Sequence, residues 1–530
     1  MLGDLFRGWR FGVARWFKAP LLNRPSNSVR PERGEERAAS DGAKFSQNRA
    51  PEIVWAGLSI LLSNFGCAWF GEGSTRSPMH TLPDIAATLQ AARDQSPVNT
   101  QWPEQKWWRQ FKDAELTRLI ETALADNPDL KAAEARLGQA QAMVDAQAAE
   151  LYPTVNASLS FTAQRFSANG VQAKLAGEHF RQLLINPLVL RYHLDFWGRD
   201  EAALQGAVGH SLAVAAETAD ARLLLTVAVA GAYFDLQATM TKLALTENIV
   251  ATRTVLAKLE QARFDHGLSH EAPTLQASIG LSATKQQEAG LQAEAALQRH
   301  LLASLAGQGP DWGLSIAPQT ISTLEVLPLP ADLPLRLLSH RPDLTAARMH
   351  VEAAAEEIKV AETAFYPDIN LLAFTGLHSV SLTDIALQGA SLAYAIGPSV
   401  EFPIFEGGRL RANLSYRQAA YDAAVERYNA SLLHAVREVA DALSRWRESE
   451  LRLTAQRQIL ANAEADNRVS EAAARAGLGD QSKPLLASVE LNRERLLLTS
   501  LHAERHKAVV RIIKALGGGY DAGALPKPNA

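Results

Sequence analysis

Two long proline-free runs, Asp200 to His266 and Arg409 to Ala476, constrain this 530-residue chain more than any other feature. Each reads as one continuous helix. At ~1.5 Å per residue such a helix extends about 100 Å, several times the ~11–12 residues of an average helix. The apolar positions recur every seven residues. They are Val229, Leu236, Leu243 and Val250 in the first run, and Val425, Leu432, Val439, Trp446, Leu453 and Leu460 in the second. A sustained seven-residue period keeps one seam turned toward a neighbour, so side-by-side coiled-coil packing is predicted. Length alone, at ~100–200 residues per domain, would suggest roughly three or four globular domains. Helices this long do not fit that division.

The two runs belong to an internal repeat. Asn127-Pro128-Asp129-Leu130 recurs as Arg341-Pro342-Asp343-Leu344, and at the same offset of 214 Tyr152-Pro153 recurs as Tyr366-Pro367. At an offset of 210, Trp197-Gly198-Arg199 answers Gly407-Gly408-Arg409, and Gly267-Leu268 answers Gly477-Leu478. One structural unit built twice is therefore expected. It takes the order helix, strand, strand, long helix, shorter helix. The first helix, Asp129 to Leu151, is Ala-rich and stops before Pro153, as the restriction on residues preceding proline requires. Val155, Ala157, Leu159 and Phe161 then alternate with Asn156, Ser158, Ser160 and Thr162, giving a strand with one apolar and one polar face. Strands are expected at about 154–164, 186–197, 368–376 and 394–405. Gly267 and Gly477 are expected to end the long helices in left-handed conformation, and Pro273 and Pro484 to lie in the first turns of the helices that follow.

The amino terminus is different. Residues 1–50 carry ten Lys+Arg against five Asp+Glu and show no apolar periodicity. Ile53 to Phe65 is mostly uncharged but shorter than the ~20 residues that span a bilayer, which suits the apolar core of a secretory signal. Residues 1–66 are read as a leader that is removed or an over-extended start. The small residue before Cys67 suggests lipoprotein processing, with palmitate on that cysteine, although Asn64-Phe65-Gly66 departs from the usual lipobox. Cys67 is the only cysteine, which excludes intrachain disulfides and multi-cysteine metal centres. The formal charge of −4 gives no electrostatic reason to expect nucleic acid. No later stretch reaches the ~18 apolar residues of a transmembrane helix, which leaves a β-barrel open.

Each strand is about as long as a tilted membrane strand of ~9–11 residues, yet four strands cannot close a barrel in lipid, where an open edge is not tolerated. The strands must be pooled with those of other copies. The sequence resembles the outer-membrane factor family, the TolC-like and OprM-like channels of tripartite efflux and type I secretion, in particular its NodT and MdtP-type multidrug branch. The resemblance runs from Trp107 to Tyr520. It rests on Trp107-Trp108-Arg109-Gln110-Phe111-Lys112-Asp113, the two Pro-Asp-Leu helix starts, both Tyr-Pro junctions, Leu194-Asp195-Phe196-Trp197-Gly198-Arg199 and the two Gly-Leu turns.

This resemblance implies a mixed α and β membrane protein, internally duplicated: a long α-helical coiled-coil barrel joined to a trimeric twelve-stranded transmembrane β-barrel with four strands per chain. The segments are then 67–113, an N-terminal anchor and equatorial part; 114–310 and 325–520, the two repeats; and 521–530, a tail. It also implies a homotrimer in outer-membrane lipid, working with a periplasmic membrane-fusion adaptor and an inner-membrane pump of the RND, MFS or similar class to export drugs or other toxic small molecules. Arg165 to Gln182 and Thr375 to Ser391 become extracellular loops. Gly267, Leu268, Gly477 and Leu478 become the periplasmic tips that meet the adaptor. Related channels close the second tip with acids around an arginine, which makes Arg475, Asp480 and Lys483 the gate candidates here. Leu486 and Ala487 stand where the family has an acid.

No enzyme motif is complete, and no cofactor or metal site is expected. Ser282-Ala283-Thr284-Lys285 has the nucleophile spacing of a β-lactamase without its companion motifs and reads as an exposed helix face. His502 and His506 lie four apart, but no glutamate adjoins the first, so they read as a solvated pair rather than zinc ligands. Two other functions remain: a type I secretion exit duct, and a periplasmic coiled-coil scaffold without channel activity. The scaffold accounts for the long helices but not for the paired alternating strands.

Overall fold

The computed structural model describes residues 76–83, 98–99, 101–169, 177, 179–319, 327–328, 338–380 and 391–524, all within the second of two units, Thr75–Ala530. The leader, Cys67, much of the two strand-connecting loops and the end of the tail lie outside the described residues.

Helix α1 (Ala114–Asp126) starts where Asp113 accepts a hydrogen bond from Leu116 N at 2.9 Å. Helix α2 (Pro128–Glu150) starts the same way, with Asn127 accepting from Leu130 N at 2.9 Å and Pro128 in the first turn. Strands β1 (Thr154–Arg165) and β2 (His179–His193) follow, then the 67-residue helix α3 (Arg199–Asp265) and the return helix α4 (Glu271–Leu305). The same order recurs as α5 (Pro342–Thr363), β3 (Asp368–Ser379), β4 (Leu392–Glu401), the 67-residue α6 (Arg409–Arg475) and α7 (Ser482–Ala515). The Pro-Asp-Leu motif begins a helix both times, but the residue before it acts differently. Asn127 caps, whereas Arg341 makes no cap and turns its buried guanidinium inward.

The four strands form one antiparallel sheet in the order β1-β2-β3-β4. Four expected strand boundaries need correction, one of them the end of β3, which runs to Ser379 rather than 376, so Thr375 to Ser379 is strand and not loop. Strand β2 begins at His179, not near 186, so Arg165 to Gln182 is not all loop. The pairing slips at Asn186-Pro187, between Asn156/Ser158 on one side and Ile185/Leu188 on the other. Proline cannot supply a ladder hydrogen bond, and the extra residue shifts the phase of the side-chain alternation. Leu183 and Ile185 therefore share a face with Leu188 and Leu190, although a strict period of two would separate them. Strand β2 also ends at His193 because Asp195 leaves the sheet to cap α3, accepting from the amides of Arg199 (2.7 Å), Asp200 (3.0 Å) and Glu201 (3.1 Å). Strand β4 stops at Glu401, short of Pro403, rather than at 405.

Seven of the ten heptad positions are buried, while Leu243, Val250 and Leu460 are half-buried. Val229 and Leu236 of α3, and Val425, Leu432, Val439, Trp446 and Leu453 of α6, are buried. The largest apolar cluster gathers Trp107, Trp108 and Phe111 with Leu116, Leu119 and Ile120 of α1, Val229, Tyr233, Phe234 and Leu236 of α3, and Val509, Val510 and Ile513 of α7. His506 belongs to this region, which corrects its reading as a solvated side chain. It is buried, with its ring 5.0 Å from that of Phe234 and 6.1 Å from that of Phe111. Burial also pushes His502 below its ordinary pKa, helped by Arg457 and Arg505.

Candidate functional site: the exposed sheet and the helix-end turns

Residues paired across an antiparallel ladder share a face. On one side of the sheet this brings together Val155, Leu159 and Phe161 of β1, Leu183, Ile185, Leu188 and Leu190 of β2, Ile369, Leu371 and Leu377 of β3, and Leu392, Tyr394, Ile396 and Val400 of β4. Much of this face is bare: Leu159 is 71% exposed and Ile396 75%. The other side carries Asn156, Ser158, Ser160, Thr162, Gln164, Asn186, Arg191, His193 and His378. There Asn186 donates to Ser158 Oγ at 3.3 Å and lies 2.8 Å from His378 Nε2, so a polar ladder crosses three strands. Strands β1 and β4 are the outer strands, each paired on one side only among the described residues.

Polar and aromatic contacts join the sheet to the helices. His193 pairs with Asp200 through Nδ1 and lies 3.4 Å from Asp368 through Nε2, while Arg199 reaches Asp368 at 3.5 Å. Trp197 stacks on Tyr366 at 5.0 Å and donates its indole N–H to the Pro367 carbonyl at 2.8 Å. Two of the repeated sequence marks thus meet at one junction. Gly198 and Gly408 precede α3 and α6 with φ of 75° and 87°, a conformation that glycine adopts without strain.

At the far ends of α3 and α6 the chain reverses through matched turns. Gly267 and Gly477 are left-handed (φ 69° and 72°), and Leu268 N and Leu478 N reach back to the carbonyls of Arg263 (2.7 Å) and Ala473 (2.9 Å). Leu268 and Leu478 project into solvent, 74% and 76% exposed. Among the gate candidates, Asp480 makes the cross-link. Arg263 donates to both of its carboxylate oxygens, at 2.9 and 3.1 Å, tying the second turn to the first long helix. The Ser482 amide, with Arg263, holds the Asp480 carboxyl below its ordinary range. Arg475 instead pairs with Glu471 at 3.3 Å along its own helix, and the Lys483 amide donates to the Asp480 carbonyl at 3.2 Å. Sequence reasoning missed Arg263. Position 473, its counterpart at an offset of 210, is Ala, and that asymmetry between the repeats was the available signal.

No helix among the described residues is long and apolar enough to cross a membrane. The outer membrane efflux protein family matches at residues 119–308 and again at 333–518. The chain belongs to this family. The multidrug resistance outer membrane protein MdtP of Escherichia coli O6:H1 strain CFT073 is 31% identical over 478 residues, covering 88% of this chain and 96% of that protein. The fusaric acid resistance protein FusA of Burkholderia cepacia is 35% identical over 376 residues, 69% of each chain. Among solved structures, the outer membrane protein VceC of Vibrio cholerae superposes with a TM-score of 0.72 at 31% identity, covering 79% of this chain and all of that one. The outer-membrane channel OprN gives 0.75 at 27% identity, over 85% and 99%. This family member is an outer-membrane efflux channel, and its two family matches coincide with the two series of elements.

Proposed function

We propose that three copies pool their sheets into a twelve-stranded barrel in the outer membrane, continued by the long helices as a tube into the periplasm. The observation that carries this reading is an apolar sheet face with two outer edges, attached end-on to paired 67-residue helices. An edge left open in lipid would strand backbone groups at several kcal/mol each, so each β1 must meet a β4 from another copy. In this arrangement Asn156, Ser158, Ser160 and His193 face a water-filled lumen. The two series of elements are one duplicated unit, in keeping with the sequence offsets of 214 and 210.

The channel is a passive conduit without catalysis of its own. It receives drugs or other toxic small molecules from an inner-membrane pump through a periplasmic adaptor, in line with the resistance names of MdtP and FusA. The projecting Leu268 and Leu478 at the matched turns are the adaptor-docking surface. Asp480, linked to Arg263, holds the end of the tube closed, with Arg475 and Lys483 beside it. Cys67 carries the lipid anchor. Deleting the gene should sensitise cells to several toxic compounds, and a copy with Leu268→Asp and Leu478→Asp should reach the outer membrane without restoring resistance. Full rescue by that copy would remove the docking assignment. Metabolic labelling with palmitate, lost in Cys67→Ser, tests the anchor.

A further inference from the structure

Where α3 lies against α5 and α7, which in turn pack on α6, five charged side chains converge: Asp220 from α3, Arg341 and Asp343 at the start of α5, Glu438 from α6 and Lys514 from α7. Four of them satisfy one another. Arg341 donates to Asp343 (2.6 and 3.0 Å), to Glu438 (2.8 Å) and to the Ala515 carbonyl (3.0 Å), and Lys514 donates to Glu438 at 2.9 Å. Two cations and two carboxylates already balance. Asp220 is the third carboxylate, and among the described residues it forms no hydrogen bond or salt bridge. It lines two clefts, of about 170 and 450 Å³, which share Asp220 and Asp343.

We propose that Asp220 makes the contact between α3 and the α5–α6–α7 group a proton-operated joint, loosened when its carboxylate is charged and tightened when it is neutral. The charged form is a third negative group among fixed partners, partly shut off from water, while the neutral form removes the repulsion from Asp343 and Glu438 and leaves the four-membered network intact. Burial, reinforced by Asp343, pushes Asp220 from 3.8 up to about 6, against the pull of Arg341 and Lys514. The folded value lies above the unfolded one. The joint is therefore tightest below the unfolded value and weakens as pH rises through about 6. The other titratable or charged groups facing Asp220 across these clefts are Glu217 of α3, His350 of α5, and Arg427 and His434 of α6. His350 is bonded to Glu217 at 2.8 Å, and His434 is 3.9 Å from Glu438, so both histidines serve as controls.

The joint lies between the long helix of the first series and the helices of the second. In the proposed channel it would set how easily those two sets of helices shift against each other. That consequence rests on the channel reading, but the joint itself does not.

Hydrogen–deuterium exchange on the full-length protein in lipid nanodiscs, at pH 5.0 and 7.5 and corrected for intrinsic exchange, tests it directly. Peptides covering residues 214–226, 341–348 and 510–517 should exchange roughly tenfold faster at the higher pH, since pH 5.0 lies about one unit below the folded value of about 6 and each unit is tenfold in the equilibrium. Asp220→Asn should abolish the step and keep the protected level at both values. His350→Gln and His434→Gln should retain it. If Asp220→Asn does not fold, Asp343→Asn should shrink the step by removing the repulsion and freeing Arg341. A wild type without the step, a step that persists in Asp220→Asn, or one unchanged in Asp343→Asn would overturn the joint. Bilayer conductance measured alongside reports separately on the channel.

Discussion

Placing one arginine on either side of β1 tests which face of the sheet meets lipid. Leu159 is the sixth of the twelve residues of β1. At ~3.3 Å per residue and a tilt of roughly 35–45°, the strand spans about 30 Å of membrane and puts Leu159 near the midplane. An arginine on the lipid face at that depth costs ~2–4 kcal/mol per chain, so about 6–12 kcal/mol for three copies, which rivals the ~5–15 kcal/mol stability of a whole domain. Ser160 is its neighbour on the opposite face, and Ser160→Arg, facing water, should cost no more than ~1 kcal/mol, as surface changes do. The magnitude depends on the membrane, because Leu159 is 71% exposed in the single chain and Leu159→Arg breaks no internal packing. The assay is recovery of the heat-sensitive oligomer from outer membranes on unheated gels. Leu159→Arg should remove it and Ser160→Arg should leave it near wild type. The reverse pattern would mean the faces are assigned backwards, and two silent substitutions would mean the sheet does not touch lipid.

Other predictions bear on the core, the bulge and the turns. Phe111→Ala removes a buried ring from the largest apolar cluster and should lower stability by ~3–5 kcal/mol, read as a reduced urea midpoint. Gly376→Ala should prevent assembly, because a Cβ there overlaps Asn186 Oδ1 and the Ile185 carbonyl at the bulge, whereas Gly397→Ala enters open space and should be tolerated. Arg263→Ala should raise single-channel conductance severalfold, and an unchanged conductance would show that the Arg263–Asp480 pair does not hold the end closed. The Asp480 carboxyl is held below its ordinary 3.8, so the link it makes is present above that value and is lost as pH falls through the lower folded one. In Asp220→Asn, where Asp220 no longer titrates, conductance should therefore be flat from pH 5 to 8 and rise only in stronger acid.

The sequence disclosed whatever periodicity and punctuation encode. The heptads at Val425 to Leu453, the glycines at 198, 267, 408 and 477, and the alternation in Val155 to Phe161 are local signals, and the structure has helices, turns and a strand where they lie. Misreadings arose where one residue breaks a period or where distant chain segments meet. Pro187 shifts the alternation within β2 and hid its first residues. The side-chain cap made by Asp195 ended the same strand early, although Leu194 and Phe196 continue its pattern. His506 looked solvated because its packing partners, Phe111 and Phe234, come from far away in the chain. The candidate turns showed the same limit. Gly267 and Gly477 were legible, but the partner of Asp480 was not, since Arg263 is 217 positions away and matches no repeat offset.

The central claim is that this chain forms a pore only by joining its four strands to those of other copies. Conductance of the purified protein in planar lipid bilayers tests it most directly. Unheated oligomer should insert and give discrete current steps, and the same preparation dissociated by heat should give none. Steps of equal size from the dissociated chain, or no steps from an intact oligomer recovered from outer membranes, would contradict it.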